Sequence, residues 1–193
     1  MSKPVFYRIS ITGDPGSGKS TFAKAVAEKT GFRMITTGNI FRKLAAEKGI
    51  SVTALNEMAE KQAELDRMVD DYLLSLNDTE ESLILDSRMA WHFVKKTLKI
   101  RLTVDPDVAV ARIFKDTAEL REQFPDLETA IDEVARRKKS EIKRYQDLYG
   151  VDISDPKNFD LVINTSHKAP DDVTRAFDQA FVEYKKRIDG AHA

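Results

Sequence analysis

Eight residues near the amino terminus, Gly13 to Ser20, match the phosphate-loop pattern G-x-x-x-x-G-K-[S/T] and are called the phosphate loop below. A strand-like apolar run over residues 5–12 precedes the loop, and an amphipathic helix over residues 21–30 follows it. Glycines let consecutive backbone N–H groups converge on phosphate oxygens, and the helix adds the positive end of its dipole. The pattern therefore predicts a site for a nucleoside triphosphate.

The residue types within the phosphate loop predict separate roles. Lys19 is expected to reach the β and γ phosphates, and the Ser20 hydroxyl is expected to coordinate Mg²⁺. The cofactors predicted from this segment are ATP and Mg²⁺. The residues expected to contact the triphosphate are Gly13, Asp14, Pro15, Gly16, Ser17, Gly18, Lys19, Ser20 and Thr21.

Composition narrows the class of protein. The 193 residues fit one α/β domain, and 31 basic against 32 acidic side chains give a net charge of −1, which predicts neither a nucleic-acid nor a membrane partner. The chain has no cysteine, which excludes disulfides and thiolate metal sites, and it has no apolar run able to cross a bilayer. We therefore expect a cytoplasmic monomer acting on small molecules.

Short apolar runs alternate with helical patterns along the chain, which favours a parallel sheet covered by helices on both faces. The predicted fold is a three-layer α/β/α domain with a five-stranded parallel sheet. Strands are expected at residues 5–12, 32–36, 83–86, 99–104 and 161–164. The further helices are expected at about 39–48, 51–76, 107–117, 128–149 and 169–188.

Ligands of open α/β sheets bind beyond the carboxyl ends of the strands, so the residues that follow the strands are candidate site residues. Asp86 ends the third strand, where it could hold Mg²⁺ or orient a substrate phosphate, or simply cap the next turn. Arg88 could clasp a phosphate with its planar guanidinium. The candidates for substrate binding are Thr36, Thr37, Gly38, Arg42, Asp86 and Arg88.

Two arginines of the long helix, Arg137 and Arg144, are seven residues apart. This spacing returns them to nearly the same face, about 10 Å apart along the axis. Together they could bridge a transferring phosphoryl group and the acceptor phosphate, which makes them candidate catalytic residues with Lys19 and Arg88. The alternative is an exposed helix rich in surface charge.

With these residues identified, the sequence resembles the nucleoside monophosphate kinases, most closely the compact cytidylate kinases of the archaeal type. The resemblance covers nearly the whole chain and rests on residues 11–21, 37–42, 85–91, 143–153 and 160–166. It implies a P-loop kinase fold with monophosphate-binding helices over about 37–77 and a small lid over about 112–137. The implied reaction is phosphoryl transfer from ATP to CMP or dCMP, with Mg²⁺.

The resemblance also implies roles for individual arginines. Arg42 matches the family's arginine for the acceptor phosphate, and Arg88 matches a second arginine for the substrate phosphate. Arg112, Arg137 and Arg144 match the arginines of the lid and of the segment after it, with Arg112 on the side of the bound ATP.

Three other functions remain open from the sequence. A related kinase could act on AMP, UMP or a non-nucleotide alcohol. A switch GTPase is disfavoured, since the Asn/Thr-Lys-x-Asp guanine motif is missing. The third alternative is a degenerate kinase that serves as a nucleotide-binding interaction module. Its support is Asp116, which stands where the family has a basic lid residue.

Overall fold

A computed structural model describes residues 4–37, 40, 46–50, 63–115 and 126–190 of the chain. The strands are β1 (Arg8–Gly13), β2 (Arg33–Thr36), β3 (Leu83–Asp86), β4 (Thr97–Thr103) and β5 (Leu161–Asn164). The helices with full bounds are α1 (Lys19–Thr30), α2 (Ala63–Ser75), α3 (Ala90–Phe93), α4 (Pro106–Lys115), α5 (Leu127–Tyr149) and α6 (Pro170–Gly190).

The five strands form one sheet in the order β2-β3-β1-β4-β5, and every pairing is parallel. The register aligns Ile11 of β1 with Asp86 of β3, and Gly13 with Leu102 of β4. All carboxyl ends therefore lie along one edge of the sheet, and β1 opens the phosphate loop at its centre. The predicted parallel sheet is confirmed.

Apolar side chains of alternating strand positions build a core on each face of the sheet. On one face, Ile9, Ile11 and Ile100 pack with side chains of α1 and α6, among them Phe22 and Phe177. On the other face, residues of β2 and β3 pack with α2, α3 and the second half of α5. The strands read as continuous apolar runs because both of their faces are covered.

The predicted elements agree with the structure in type and differ at some ends. Strand β4 begins at Thr97 rather than residue 99, because Thr97 and Leu98 continue the ladder with Arg8 and Ile9 of β1. It ends one residue early, at Thr103. Residues 46–48 are helical, but most of the helix predicted over 39–48, residues 51–62 of the next one, and residues 116–125 of the predicted lid lie outside the described residues.

No helix among the described residues is both long enough and apolar enough to span a lipid bilayer.

Candidate active site

The phosphate loop leaves the central strand β1 and is anchored to its neighbour β4. The Asp14 N–H donates to the carbonyl of Leu102 at 3.0 Å, and the Ser17 N–H donates to the carbonyl of Asp14 at 3.1 Å. One hydrogen bond therefore closes a turn within the loop, and the other fixes the Asp14 amide to the sheet. These two hydrogen bonds fix the orientation of the loop backbone.

Two glycines are required by close contacts in this loop. A Cβ on Gly13 would lie 2.6 Å from the carbonyl oxygen of Leu102. Gly16 has φ +75°, and a Cβ there would lie 2.7 Å from the carbonyl oxygen of Ala109 in α4. The loop is therefore packed against β4 and α4 at distances that only glycine permits.

The loop ends at the amino terminus of α1, which is open to an anion. Gly18 is the N-cap with φ 78°, no described side chain caps it by a hydrogen bond, and the first turn contains no acidic residue. Ser20 and Thr21 lie in this first turn beside Lys19. The amide groups and the positive end of the helix dipole can therefore serve a phosphate ligand.

Lys19 contacts the carboxylate of Asp86, so the loop lysine and the acid at the end of β3 form an ion pair. Asp86 is only 5% exposed, and it stands opposite Thr36, the last residue of β2. The hydroxyl of Thr37 donates to the Asp86 carbonyl at 3.4 Å. Thr36, Thr37 and Asp86 therefore lie together beside the phosphate loop, whereas Gly38 and Arg42 lie outside the described residues.

Arg88 lies next to the same loop and is held at both ends of its guanidinium. One amino group donates to the carbonyl of Gly13. The other amino group and Nε contact the two carboxylate oxygens of Glu141 in α5, each at 3.1 Å. This bidentate geometry is also the geometry in which arginine clasps a phosphate.

Arg112 of α4 links the phosphate loop to the turn after β5. Its guanidinium donates to the carbonyl of Thr165 at 2.8 Å and, more weakly, to the carbonyls of Gly16 and Ser166 at 3.3 and 3.4 Å. The Thr165 hydroxyl in turn contacts the carbonyl of Ser17 at 3.1 Å. These hydrogen bonds hold the planar guanidinium of Arg112 beside the phosphate loop.

The turn after β5 is itself held by hydrogen bonds to the end of β4. The amide of Asn164 donates to the Asp105 carboxylate at 2.9 Å, and the Asp105 N–H donates to the Ser166 hydroxyl at 2.7 Å. The hydrogen bond from Asn164 lowers the pKa of Asp105, and contact with Ser166 acts in the same direction. Asp105 therefore stays ionised and keeps this turn in place at neutral pH.

Helix α5 passes over the site with the two arginines predicted as catalytic. Arg144 is exposed, and its guanidinium lies 6.0 Å from the centre of the Tyr145 ring. Position 137 belongs to the same helix, and helical spacing places positions 137, 141 and 144 on one face. Among these positions, Glu141 has a side chain that contacts Arg88 after β3.

A cavity of about 770 Å³ lies between α4, α5 and the phosphate loop. Its walls are mainly apolar and include Pro15, Val104, Val110, Val134 and Ile142. A cavity of this size beside convergent polar groups has the dimensions of a small-molecule site.

Glu141 and Arg101 contact residues of this site and were not identified from the sequence. Glu141 lies within a charged helical run in which no acid is distinguished from the others. Arg101 carried a usable signal, because a charged residue between Ile100 and Leu102 of a buried strand requires a partner.

Comparison with known proteins decides the family. The model of the cytidylate kinase-like family matches residues 8–167. The chain belongs to the cytidylate kinase-like family. It is 36% identical over 180 residues to a cytidylate kinase of Archaeoglobus fulgidus. That alignment covers 93% of this chain and 96% of the relative. A cytidylate kinase of Sulfurisphaera tokodaii is 34% identical over 169 residues, or 86% of this chain and 91% of the relative. The protein is a nucleoside monophosphate kinase.

Solved structures bear out the fold of this kinase. Shikimate kinase from Bacteroides thetaiotaomicron aligns with a TM-score of 0.58 over 90% of this chain and 95% of the shikimate kinase, at 16% identity. At that identity the likeness concerns the fold alone. The P-loop kinase fold that the motifs implied is therefore confirmed.

Proposed function

We propose that this kinase transfers the γ-phosphoryl group of ATP to CMP or dCMP, giving ADP and CDP or dCDP. The observation that carries the proposal is the pair of cytidylate kinases that align along almost the whole chain, at 36% and 34% identity. The convergence of Lys19, Asp86 and Arg88 at one sheet edge supports the same reaction.

The donor triphosphate occupies the phosphate loop in this proposal. Residues Gly13 to Thr21 supply backbone amides, and Lys19 exchanges the Asp86 carboxylate for the β and γ phosphates. Arg112 lies along the donor nucleotide, and the turn at Thr165 supports it. No side chain of the described residues caps the start of α1, which supports this assignment because amide groups are left for the phosphates.

Mg²⁺ fits the oxygen donors beside the loop. The hydroxyl of Ser20 and the carboxylate of Asp86 are hard ligands of the kind that this ion prefers, and Mg²⁺ usually keeps several waters and shares phosphate oxygens. When bound, the ion neutralises charge on the β and γ phosphates. In its presence Asp86 would serve the ion while Lys19 serves the phosphates.

The acceptor monophosphate lies on the β2–β3 side of the loop in this proposal. Thr36, Thr37 and Gly38 border it, and Arg42 and Arg88 bind its phosphate. Arg88 exchanges Glu141 for phosphate oxygens, and its present bidentate contact with a carboxylate supports such an exchange.

Arg137 and Arg144 stabilise the transition state in this proposal. Charge spreads over the equatorial oxygens of the transferring phosphoryl group, and cations aimed at these oxygens lower the barrier. The support is that both positions belong to α5, the helix whose Glu141 contacts Arg88.

A coupled ADP-release assay tests the acceptor. Purified protein is incubated with ATP and Mg²⁺ and with CMP, dCMP, UMP, AMP, GMP or dTMP, and the phosphorylated product is identified by chromatography. We expect the highest kcat/KM with CMP or dCMP, and only background ATP hydrolysis without an acceptor. A higher kcat/KM with another monophosphate would reassign the acceptor, and no transfer to any would favour the interaction module.

A further inference from the structure

The phosphate loop contains one carboxylate, Asp14, although the loop is suited to a polyanion. An uncompensated negative charge there would repel the phosphates that the amides attract. The Asp14 side chain is only 9% exposed, so water screens it poorly. Its charge must be balanced by the protein for the loop to bind a nucleotide.

Arg101 of β4 supplies the first balancing charge. One guanidinium nitrogen contacts Asp14 Oδ1 at 2.7 Å, and the arginine is 5% exposed. A second nitrogen donates to the Ile153 carbonyl at 2.6 Å, and the guanidinium lies 5.7 Å from the centre of the Phe159 ring. Arg101 is therefore fixed on several sides and holds the Asp14 carboxylate in one place.

Lys138 of α5 supplies the second balancing charge. Its ammonium contacts Asp14 Oδ2 at 3.0 Å, and its side chain is 44% exposed. One oxygen of the Asp14 carboxylate thus contacts β4, and the other contacts α5. Helix α5 also contacts Arg88 through Glu141, so it is tied to the site at two places.

We propose that Asp14 is a positioning residue that ties the phosphate loop to β4 through Arg101 and to α5 through Lys138. Arg101 also neutralises the loop, so that nucleotide phosphates are not repelled. The inference rests on the proposed function in one respect, namely that the loop binds the donor phosphates. Its consequences for charge and for position can be separated by substitution.

The test measures dissociation constants of Mg·ADP and Mg·ATP by calorimetry, with thermal unfolding as a check on folding. The Arg101→Met variant leaves the Asp14 charge in the loop, so affinity should fall about tenfold, as one unit charge acting over roughly 10 Å at an effective dielectric constant near 20 would cause. The loss should be larger for ATP than for ADP, because ATP carries more charge. A merely structural role would weaken both equally.

The double variant Asp14→Asn/Arg101→Met separates the two roles. Nucleotide affinity should recover because the repelling charge is gone, whereas kcat with the best acceptor should stay low because the loop has lost its anchor. Asp14→Asn alone should likewise bind nucleotides at least as tightly as wild type, with reduced kcat. Recovery of kcat in the double variant would overturn the positioning role.

Two adjacent lysines provide a matched comparison at the α5 end. Lys138→Met should weaken ATP binding about two- to fivefold at low ionic strength, the usual range for a partly exposed pair, with less effect at high salt. Lys139→Met removes the same charge one position along and should change affinity less than Lys138→Met does. Equal effects of the two substitutions would overturn the α5 link.

The comparison of lysines stays decisive if Arg101→Met fails to fold. A folded Arg101→Met variant that binds ATP as wild type does would overturn the inference. A wild-type protein that binds nucleotides but does not phosphorylate CMP would overturn only the proposed acceptor, since the binding measurements need no acceptor.

Discussion

Lys19 and Asp86 form an ion pair that joins the first residue of α1 to the last residue of β3. The charge of the phosphate-loop lysine is thus balanced by a buried carboxylate. A donor phosphate has to compete with Asp86 for this ammonium group. The pair therefore holds the Lys19 ammonium group beside the phosphate loop.

Replacing Lys19 with Met should lower kcat by about 10²-fold or more, because a cation at the transferring phosphate is lost. Lys24→Met is the matched control, since Lys24 is an exposed lysine of the same helix, and it should leave turnover unchanged. The coupled ADP-release assay measures both, with circular dichroism to confirm folding. Near wild-type turnover in Lys19→Met would contradict the assignment of the loop.

Replacing Arg88 with Ala should lower kcat/KM for the acceptor by about 10²-fold or more while leaving the ADP dissociation constant within a few fold. The same result is expected for Arg42→Ala. Arg33→Ala is the control, because Arg33 is exposed at the start of β2 and pairs with Glu81 there. If ADP affinity fell as far as acceptor use in Arg88→Ala, Arg88 would belong to the donor side.

Replacing Gly16 with Ala should cost about 2–4 kcal/mol of stability and abolish measurable nucleotide binding. A methyl group would meet the Ala109 carbonyl at 2.7 Å, so the loop and α4 would have to separate. Gly150→Ala has a similar φ of +68° but no atom within 4 Å, and it should cost only about 1 kcal/mol. Denaturant unfolding measures both; equal losses would show that φ alone matters.

Replacing Tyr184 with Phe should cost about 1–3 kcal/mol of stability. The buried phenol accepts from the Arg8 N–H at 2.9 Å and donates to the Lys96 carbonyl at 2.8 Å, and both backbone groups would lose this partner. Tyr7→Phe removes an exposed hydrogen bond to Asp189 and should cost less. Denaturant unfolding at neutral pH compares the two; a larger loss in Tyr7→Phe would contradict this account.

The same phenol should make stability sensitive to alkaline pH. Burial raises the pKa of Tyr184 above its ordinary value of 10.0. Its contribution is complete below the unfolded pKa and is lost as pH rises toward the folded pKa, because the unfolded phenol ionises first. Between about pH 9 and pH 11 the wild-type melting temperature should therefore fall more than that of Tyr184→Phe. Parallel curves would show that other groups dominate.

Local patterns were enough to predict the strands and most helices. Leu83–Asp86 and Leu161–Asn164 have the predicted bounds, because short apolar runs between turn signals leave little freedom. The phosphate loop was likewise predictable, since its chemistry depends on adjacent residues. The rule that ligands bind beyond the carboxyl ends of parallel strands selected Asp86 as a candidate site residue, whereas its contact with Lys19 was not predicted.

Partners from distant segments were not predictable in this way. Glu141 contacts Arg88 across 53 positions, and Arg101 contacts Asp14 across 87. Such pairs depend on how α5 and β4 pack against the loop, and one sequence has many acids and bases that could pair. Only the position of Arg101 between Ile100 and Leu102 in an apolar run indicated that a partner existed.

Strand β1 has a hydrogen-bonded neighbour on each side, whereas β2 lies at the margin of the sheet. A substitution after β2 disturbs one ladder, but a substitution at the end of β1 disturbs two. Laboratory evolution of a new acceptor preference should consequently accumulate substitutions around Thr36 and Thr37 and leave the phosphate loop unchanged.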